Sequence, residues 1–316
     1  MAALSIALIG TGAAATDYVR VIGESPRAKL DVVIDDDLEA ASVLADRAGC
    51  VMATDLDAIE GCQVAIVTAA PDTHFETVTR LLEAGMPTLV QAPLAADIRE
   101  ATALVELSKQ RDVPLSCAFL ERFNAALKAA RGMLDEPPVH LVALRHAPHD
   151  PRATTSVVHD LMVHDIDLAI QLGGGPLVDS VRAATFIPPG LNTVELADAV
   201  ITFSSGLIGT FSASRISHRA RRELIIATTN KLIEVDLLRY HVQVTRHLSA
   251  HHLLEGGTPT YRENIVVDSP FVHQSGEPVA LQLEQLLDLA EGRIDAAAIR
   301  NGLLPPHTHA AKVEAA

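Results

Sequence analysis

The sequence predicts an α/β protein with two domains: a doubly wound parallel sheet, and an α/β domain with a large, mainly antiparallel sheet. Up to residue 116, short apolar runs typical of buried strands alternate with segments of helical spacing, which is the pattern of a parallel sheet. Between residues 178 and 246, β-type segments follow one another with little helix between them and should pair antiparallel. A length of 316 residues suits two domains, which we place at 1–120 and 121–316.

A glycine-rich turn joins the first strand pattern, residues 4–9, to the first helix pattern. The turn has a Gly-x-Gly-x-x-Ala form. In such turns the first glycine permits the bend, the second lets the backbone approach a pyrophosphate, and the alanine lets helix and strand pack closely. Glycine turns also occur without ligands, so the motif alone leaves a structural βαβ unit open. The candidate cofactor residues of the turn are Gly10, Thr11, Gly12, Ala13 and Ala14.

Asp35 strengthens the dinucleotide interpretation. It ends the second strand pattern, residues 30–34, about 20 residues past the turn, where a carboxylate can bind the ribose hydroxyls of NAD. A 2′-phosphate at this place would meet Asp35, Asp36 and Asp37 and no arginine. The sequence therefore predicts NAD as the cofactor, with NADP disfavoured.

Further elements follow in order. The patterns indicate strands at 64–68, 88–90, 114–116, 139–145, 200–203, 207–213, 224–227 and 232–236, and helices at 38–48, 73–84, 97–111, 122–134, 156–172 and 279–291. The carboxyl ends of parallel strands form the ligand crevice, which adds Thr68, Ala69, Pro71, Gln91 and Ala92 to the candidate cofactor residues. The last segment, with Pro305, Pro306, His307 and His309, is expected to be a poorly ordered tail.

Composition limits the partners. The net charge of −15, from 25 basic and 40 acidic residues, argues against nucleic acid and anionic membranes. No apolar run reaches bilayer-spanning length and no signal pattern opens the chain, so we expect a cytoplasmic protein. Cys50, Cys62 and Cys117 lack metal-like spacing and are expected to be reduced thiols, and we predict no metal site.

The stretch from residue 157 to 168 holds the candidate acid/base group. On a helix Asp160, His164 and Asp167 would share one stripe, because they are four and three residues apart. A carboxylate against an imidazole fixes its tautomer and raises its basicity, as a general base for a hydroxyl proton requires. The alternative is an acid-rich helix start with an interior histidine.

Several segments, in this order and spacing, resemble the glucose–fructose oxidoreductase / inositol dehydrogenase / MocA family over residues 5–291. The motifs are most similar to those of family members that oxidise nucleotide sugars. The segments are the glycine turn, Ala70-Pro71 with His74, Gln91-Ala92-Pro93-Leu94, Glu121-Arg122-Phe123-Asn124, and Asp160-x-x-x-His164-Asp165-Ile166-Asp167.

The resemblance implies an N-terminal Rossmann domain, a C-terminal sheet often used for oligomer contacts, and hydride transfer between nicotinamide C4 and a carbinol carbon. It also implies that His164 is the acid/base and that Asp160 orients it. We add His74 and Arg122 to the cofactor candidates. The expected partners are a sugar or nucleotide-sugar substrate and further copies of the chain, as a dimer or tetramer.

Ala92 departs from the family pattern. The family has a lysine in a Glu-Lys-Pro triplet that here reads Gln91-Ala92-Pro93, and Phe119 stands where related nucleotide-sugar enzymes tend to have histidine. Two interpretations stay open. In one, the protein is an active oxidoreductase in which His164 handles the proton, with charge from Arg145, His146 or Arg122. In the other, it binds a dinucleotide but has lost dehydrogenation and acts as a sensor, regulatory or accessory protein.

A basic cluster at residues 215–222 stands out in an acidic chain. It could receive a substrate diphosphate, or form a solvated or subunit-facing loop. His251, His252, His307 and His309 are expected to be exposed. The candidate substrate-binding residues are Asn124, Arg145, Arg152 and Asp165.

Overall fold

The predicted fold class is confirmed by a computed structural model, which describes residues 3–151, 153–253 and 259–316. Within residues 248–263, only the backbone of 248–253 and 259–263 is described. The structure has a six-stranded parallel sheet and an eight-stranded, mainly antiparallel sheet. In the described part of the chain, no helix is both long and apolar enough to cross a membrane.

The first sheet has the strand order β3-β2-β1-β4-β5-β6, and all its pairs are parallel. Central strands are buried on both faces, which is why they read as continuous apolar runs. The chain order reverses between β1 and β4, and a ligand crevice forms at such a point. The strands are β1 Leu4–Ile9, β2 Ala28–Ile34, β3 Val51–Ala53, β4 Val64–Val67, β5 Thr88–Val90 and β6 Leu115–Cys117.

Helices connect these strands, and local signals end them. Asp37 and Asp97 cap the N-termini of α2 and α4, each accepting a hydrogen bond from a backbone N–H of the first turn. Gly49 ends α2 in the left-handed conformation, with φ of 66°. The helices are α1 Ala15–Glu24, α2 Leu38–Ala48, α3 His74–Glu83 and α4 Ile98–Arg111.

The second sheet has the order β14-β13-β12-β11-β7-β10-β9-β8, in which only β7 and β10 pair parallel among the described strands. Helices α5 (Ala125–Gly132) and α6 (Val163–Ala169) pack on one face. The opposite face leaves Val200 and Ile208 more than 40% exposed. The strands are β7 His140–His146, β8 Val178–Phe186, β9 Leu196–Phe203, β10 Ile208–Ser214, β11 Arg221–Ala227, β12 Lys231–Asp236, β13 His241–Leu253 and β14 Pro259–Asp268.

The helix predicted at 156–172 is not a regular α-helix. Helix α6 lies between two π-helical turns, Val158–Met162 and Ile170–Gly174. A π turn closes hydrogen bonds from i to i+5, so side chains four apart no longer share one stripe. This local geometry changes which side chains face one another around Asp160.

The prediction of a poorly ordered tail was wrong. Helices α7 (Pro278–Ala290), α8 (Ala296–Asn301) and α9 (Leu304–Glu314) close the chain. The prolines of α9 stand in its first turn, where a missing N–H costs nothing. His307 and His309 are 3% and 2% exposed, so the prediction of exposure was wrong for both. The side chains of His251 and His252 lie outside the described residues.

Helix α7 packs against α1 rather than against the second sheet. The Tyr18 hydroxyl donates to Gln282 Oε1 at 2.6 Å, and Arg27 donates to Asp288 at 2.8 Å and Glu291 at 2.6 Å. The apolar side of α7 joins the core that covers β1. The domain boundary at 120/121 stays a prediction, and α7 completes the first domain from beyond it.

Candidate active site

A continuous cleft follows the carboxyl ends of β1, β2, β4 and β5. Its first part, here called the Asp35 half, has a volume of about 640 Å³, and its second part, the Asp160 half, about 430 Å³. The two halves share Gly12, Thr68, Ala69 and Ala70. The cleft is therefore one elongated site, at the place where a parallel sheet binds ligands.

Twelve of the thirteen predicted cofactor residues line this cleft; Arg122 does not line either half. Their contact with a cofactor stays a prediction, but the structure brings them together from four separate loops. The residues are Gly10, Thr11, Gly12, Asp35, Thr68 and Ala69 in the Asp35 half, and Ala13, Ala14, Pro71, His74, Gln91 and Ala92 in the Asp160 half.

The glycines of the turn are required by packing inside the protein. Gly10 has φ of +93°, and a Cβ there would lie 2.2 Å from the Ala69 nitrogen. A Cβ on Gly12 would lie 2.2 Å from the Thr68 carbonyl oxygen. The Thr68 hydroxyl also donates a hydrogen bond to the Gly10 carbonyl at 2.7 Å. The turn is thus pressed against the end of β4, a contact that the motif alone did not indicate.

Asp35 holds the glycine turn from the end of β2. One carboxylate oxygen accepts hydrogen bonds from the Thr11 backbone N–H at 2.6 Å and from the Thr11 hydroxyl at 2.8 Å. The other oxygen accepts from the Asp37 N–H at 2.8 Å. The predicted ribose-binding carboxylate is therefore fixed in place before any ligand arrives.

Arg80 corrects the expectation that no arginine faces this end of the cleft. It reaches the Asp35 half from α3. Its guanidinium lies 2.7 Å from Asp57 and 4.0 Å from Asp55. Sequence neighbours of Asp35 could not reveal it, because α3 is brought there by the sheet.

His74 joins the loops that follow β4 and β5. Its ring is fully buried, with Nε2 2.9 Å from the Ala69 carbonyl and Nδ1 3.0 Å from the Pro93 carbonyl. A neutral imidazole has one N–H, so it donates to one of these carbonyls at a time. Burial lowers the pKa of His74, which favours the neutral ring.

The C-terminal helix α9 supports the loop that carries Ala92. The Leu94 backbone N–H donates to His307 Nε2 at 2.9 Å. Nδ1 of the same ring lies 2.7 Å from the Leu303 carbonyl, so the proton is on Nδ1. Burial lowers the pKa of His307 to about 4. A residue expected in a disordered tail is therefore a neutral hydrogen-bond acceptor behind the site.

Asp160 lines the Asp160 half but does not bond to His164. Its Oδ2 accepts from Arg215 Nη1 at 2.9 Å, and no hydrogen bond joins Asp160 to His164, both of which the structure describes. Burial raises the pKa of Asp160, and Arg215 opposes that rise. The expected carboxylate–imidazole pair is absent because the π turn and Arg215 direct the carboxylate elsewhere.

His164 lies deeper than Asp160 and lines neither half of the cleft. Phe119 packs edge-on against it, with ring centroids 5.8 Å apart. Burial, followed by the positive charges of Arg145 and Arg222, lowers the pKa of His164 far below its ordinary value. The ring is therefore neutral, among cations rather than against a carboxylate.

Asp160, Asp165 and Asp167 each pair with a different arginine. Arg122 forms two hydrogen bonds to Asp167, at 2.8 and 2.5 Å, so Asp167 also leaves the predicted stripe. Arg145, which is 4% exposed, donates to Asp165 at 2.7 Å. It also donates to Glu121 at 3.1 Å. Each charge is thus compensated inside the protein.

These pairs bear on the predicted substrate residues. Arg145 and Asp165 are buried against each other, and Asn124 caps α5 while donating to Glu121 and to the Leu237 carbonyl at 3.0 Å. Such contacts support structural roles for all three, and their substrate contact stays a prediction. Arg152 lies outside the described residues.

The basic cluster does not form one surface. Arg215 is 2% exposed, whereas Arg221 pairs with Glu223 on its own strand and Arg222 lies 3.4 Å from Glu121. The sequence singled out Arg215 only as one of several arginines. Its partner could not be found from spacing, because 55 residues separate Arg215 from Asp160.

A loop after β7 lines the Asp160 half, and the sequence analysis indicated only Arg152 in it, which lies outside the described residues. Asp150, Ala153, Thr154 and Thr155 line the cleft there. No motif marks this loop. Across the described part of the chain, no group of three or more histidine, cysteine, aspartate or glutamate side chains is arranged to hold a metal ion.

Comparison with known proteins identifies the family of the chain. Residues 4–119 match the model of an oxidoreductase family with an NAD-binding Rossmann fold. Residues 127–234 match the GFO/IDH/MocA C-terminal domain. The chain belongs to the Gfo/Idh/MocA family. The resemblance predicted from the motifs is confirmed.

Individual relatives agree with this assignment. UDP-N-acetylglucosamine 3-dehydrogenase of Acidithiobacillus ferrooxidans is 31% identical over 209 residues, covering 65% of this chain and 66% of that protein. Myo-inositol dehydrogenase Hyg17 of Streptomyces leeuwenhoekii is 28% identical over 231 residues, covering 67% and 70%. These matches span about two thirds of the relatives' length.

Solved structures show the same fold over nearly the whole chain. The Acidithiobacillus ferrooxidans enzyme GnnA superposes with a TM-score of 0.83 at 24% identity, covering 100% of this chain and 97% of that one. GenD2 from gentamicin A biosynthesis, in complex with NAD, gives 0.84 at 18% identity, covering 100% and 94%. Another neighbour of the same fold, KijD10 of Actinomadura kijaniata, holds NADP, with a TM-score of 0.83 at 15% identity and coverage of 99% and 97%.

Proposed function

We propose that this Gfo/Idh/MocA family member is an NAD-dependent oxidoreductase that oxidises a carbinol of a sugar, nucleotide sugar or related polyol. The observation that carries the proposal is the continuous cleft that leads from Asp35 to Asp160. The Asp35 carboxylate, which we expect to bind ribose, lies at one end, and an ionisable group for proton transfer lies at the other. The activities for which the relatives are named support the substrate class.

The residues of the Asp35 half fit a dinucleotide. The turn at Gly10 and Gly12 leads into the N-terminus of α1, where the helix dipole favours a pyrophosphate. Asp35 would accept hydrogen bonds from the adenosine ribose. This direction extends the other end of the cofactor into the Asp160 half, toward Ala92. Bound NAD supplies a hydride acceptor there.

Asp160 is the member of the predicted acid/base pair that reaches the cleft, and we assign it the first contact with the substrate hydroxyl. When a carbinol is oxidised with bound NAD as hydride acceptor, the Asp160 carboxylate would take the hydroxyl proton. The lowered pKa of His164 makes its ring a weak proton acceptor, so the proposal leaves the proton with Asp160. Loss of one acid/base group typically costs about 10² to 10⁴ in rate, so we expect slow turnover without the family lysine.

A second function is favoured by Gln91 and Ala92. They leave the Asp160 half without the lysine and glutamate of the family triplet. A protein with an intact Asp35 half and this replacement could bind NAD without oxidising a substrate. It would then act as a sensor, a regulatory subunit or an accessory protein.

The test combines binding and turnover in matched variants. NAD affinity is measured by calorimetry, and NADH formation by absorbance, with UDP-N-acetylglucosamine and myo-inositol as probes. We expect wild type to bind NAD and turn over slowly, Asp160→Asn to bind equally but lose about 10²-fold or more in rate, and Ala92→Lys to gain rate. Arg239→Gln, on an exposed turn, is the control.

The outcomes separate the two functions. NAD binding without NADH formation in wild type, with turnover appearing in Ala92→Lys, supports the binding protein and contradicts the active enzyme. No binding of NAD or NADP contradicts both. The cytoplasmic location and the homo-oligomer remain predictions, and a light-scattering mass of one 33.6 kDa chain would contradict the oligomer.

A further inference from the structure

Arg215 stands immediately after β10 and links the second sheet to the cleft. Its guanidinium forms a two-pronged pair with Glu195, at 3.1 and 2.9 Å, and donates from Nη1 to Asp160 Oδ2 at 2.9 Å. Nη2 also donates to the Thr155 carbonyl. The side chain is 2% exposed. One buried cation therefore binds two carboxylates and the loop after β7 that lines the Asp160 half.

The two carboxylates are held differently. Glu195 is 2% exposed, and both its oxygens accept from Arg215, so it serves to hold the arginine. Asp160 accepts through one oxygen, keeps 36% of its side chain exposed and lines the cleft. Glu195 thus anchors Arg215 from behind, and Arg215 presents Asp160 to the cleft.

Other cations near the site point elsewhere. Arg145 is bonded to Asp165 and Glu121, Arg122 to Asp167, and His146 to the Ser212 hydroxyl at 2.9 Å. Among the described residues, Arg215 is the cation hydrogen-bonded to a carboxylate of the Asp160 half. The charged groups that act on Asp160 are Arg215, Asp150 and, less strongly, Arg145.

We propose that Arg215 is a positioning residue that keeps Asp160 ionised and directed into the Asp160 half. A cation at hydrogen-bond distance favours the charged form of a carboxyl, and only that form can accept a hydroxyl proton. The contact with Thr155 also holds the loop after β7 relative to Asp160. The inference rests on the proposed function for its catalytic meaning, but the ionisation of Asp160 can be measured without turnover.

The first experiment follows the Asp160 carboxyl by carbon-13 NMR as the pH is varied, with Asp160→Asn identifying its resonance. Removing an opposite charge at hydrogen-bond distance typically raises a carboxyl pKa by about 1 to 3 units, which is the change we expect in Arg215→Gln. Arg215→Lys should restore most of it. Glu195→Gln should lower the pKa of Asp160. The negative charge of Glu195 is then gone, so the positive charge of Arg215 acts on Asp160 without that competitor.

The opposite signs distinguish positioning from general structural support. Arg239→Gln, which breaks an exposed pair with Asp236, should leave the Asp160 titration unchanged. Circular dichroism and thermal unfolding establish that each variant is folded. If Arg215→Gln does not fold, Arg215→Lys and Glu195→Gln decide the question. An Asp160 titration that is the same in all folded variants would overturn the proposal.

Turnover provides the second measurement. Where wild type forms NADH, the acidic limb of kcat/KM should move to higher pH in Arg215→Gln and to lower pH in Glu195→Gln, while NAD affinity stays the same. If wild type forms no NADH but the NMR titration shifts as expected, the proposed function fails and the role of Arg215 stands. If NADH forms and its pH profile does not move, the role of Arg215 is contradicted and the proposed function stands.

Discussion

The Asp35 half of the cleft is assembled from consecutive βα units, whereas the Asp160 half combines segments from across the chain. In the first, Asp35 bonds to Thr11, 24 residues away. In the second, Arg215 reaches Asp160 over 55 residues and His307 reaches Leu94 over 213. One half depends on a local motif and the other on the packing of two sheets and a C-terminal helix.

This difference explains how the two halves can change independently. The glycine turn and Asp35 are hydrogen-bonded as a unit to which Ala92 contributes nothing. Asp160 is held by Arg215, which follows β10 of the second sheet. Cofactor binding and proton transfer are thus supported by different parts of the fold.

The largest effect is expected from Gly10→Ala, which breaks the Asp35 half. Its Cβ would collide with Ala69 backbone atoms at 2.2 Å, in addition to the strain of φ at +93°. We expect a loss of about 4 kcal/mol in the free energy of unfolding and no detectable NAD binding. Urea denaturation and calorimetry measure the two.

Gly206→Ala is the matched control for that strain. Gly206 has φ of +92°, but nothing lies within 4 Å of its Cβ position. We expect it to cost about 1 kcal/mol and to leave NAD binding intact. Equal losses in the two variants would show that the close contact with Ala69 contributes nothing.

A smaller effect, on stability in acid, should come from His307, which lies behind the Asp160 half and binds the Leu94 N–H. Its pKa is lowered from 6.5 to about 4 in the folded protein. The unfolded chain therefore binds a proton below pH 6.5 while the folded protein does so only near pH 4. Stability is fully present above pH 6.5 and falls by about 3 kcal/mol as the pH drops to 4.

His307→Gln should remove that part of the pH dependence, because glutamine does not titrate. Denaturant unfolding at pH 7 and pH 4 measures it, with the exposed His218→Gln as control. If His307→Gln and wild type lose the same stability between these pH values, the neutral acceptor at Leu94 is not what acid disrupts.

The smallest effect should come from Asp35→Asn, which tests whether the two halves of the cleft act independently. Removing the charge weakens the hydrogen bonds to Thr11 and to ribose, so NAD affinity should fall about tenfold. The rate per bound NAD should not change, because the Asp160 half is untouched. Asp46→Asn, at an exposed position of α2 outside the cleft, is the control. A changed rate at saturating NAD would mean that the halves are coupled.

Much of the fold and of the Asp35 half could be predicted from the sequence. The parallel sheet follows from alternating apolar runs and helical spacing, and the turn at Gly10 and the carboxylate of Asp35 follow from residues within one βαβ unit. Two errors lie where contacts are long in sequence: the pairing of Asp160 and the burial of His307. Arg80 was missed for another reason, because it enters the cleft from α3 and not from the neighbours of Asp35.

Taken alone, the sequence determined the family and the strand–turn–helix unit with its glycines, because local spacing and residue identity decide these. Only the tertiary structure decided that Asp160 pairs with Arg215 rather than His164. A carboxylate pairs with whichever cation the fold brings within about 3 Å, and a π turn together with the end of β10 sets that distance.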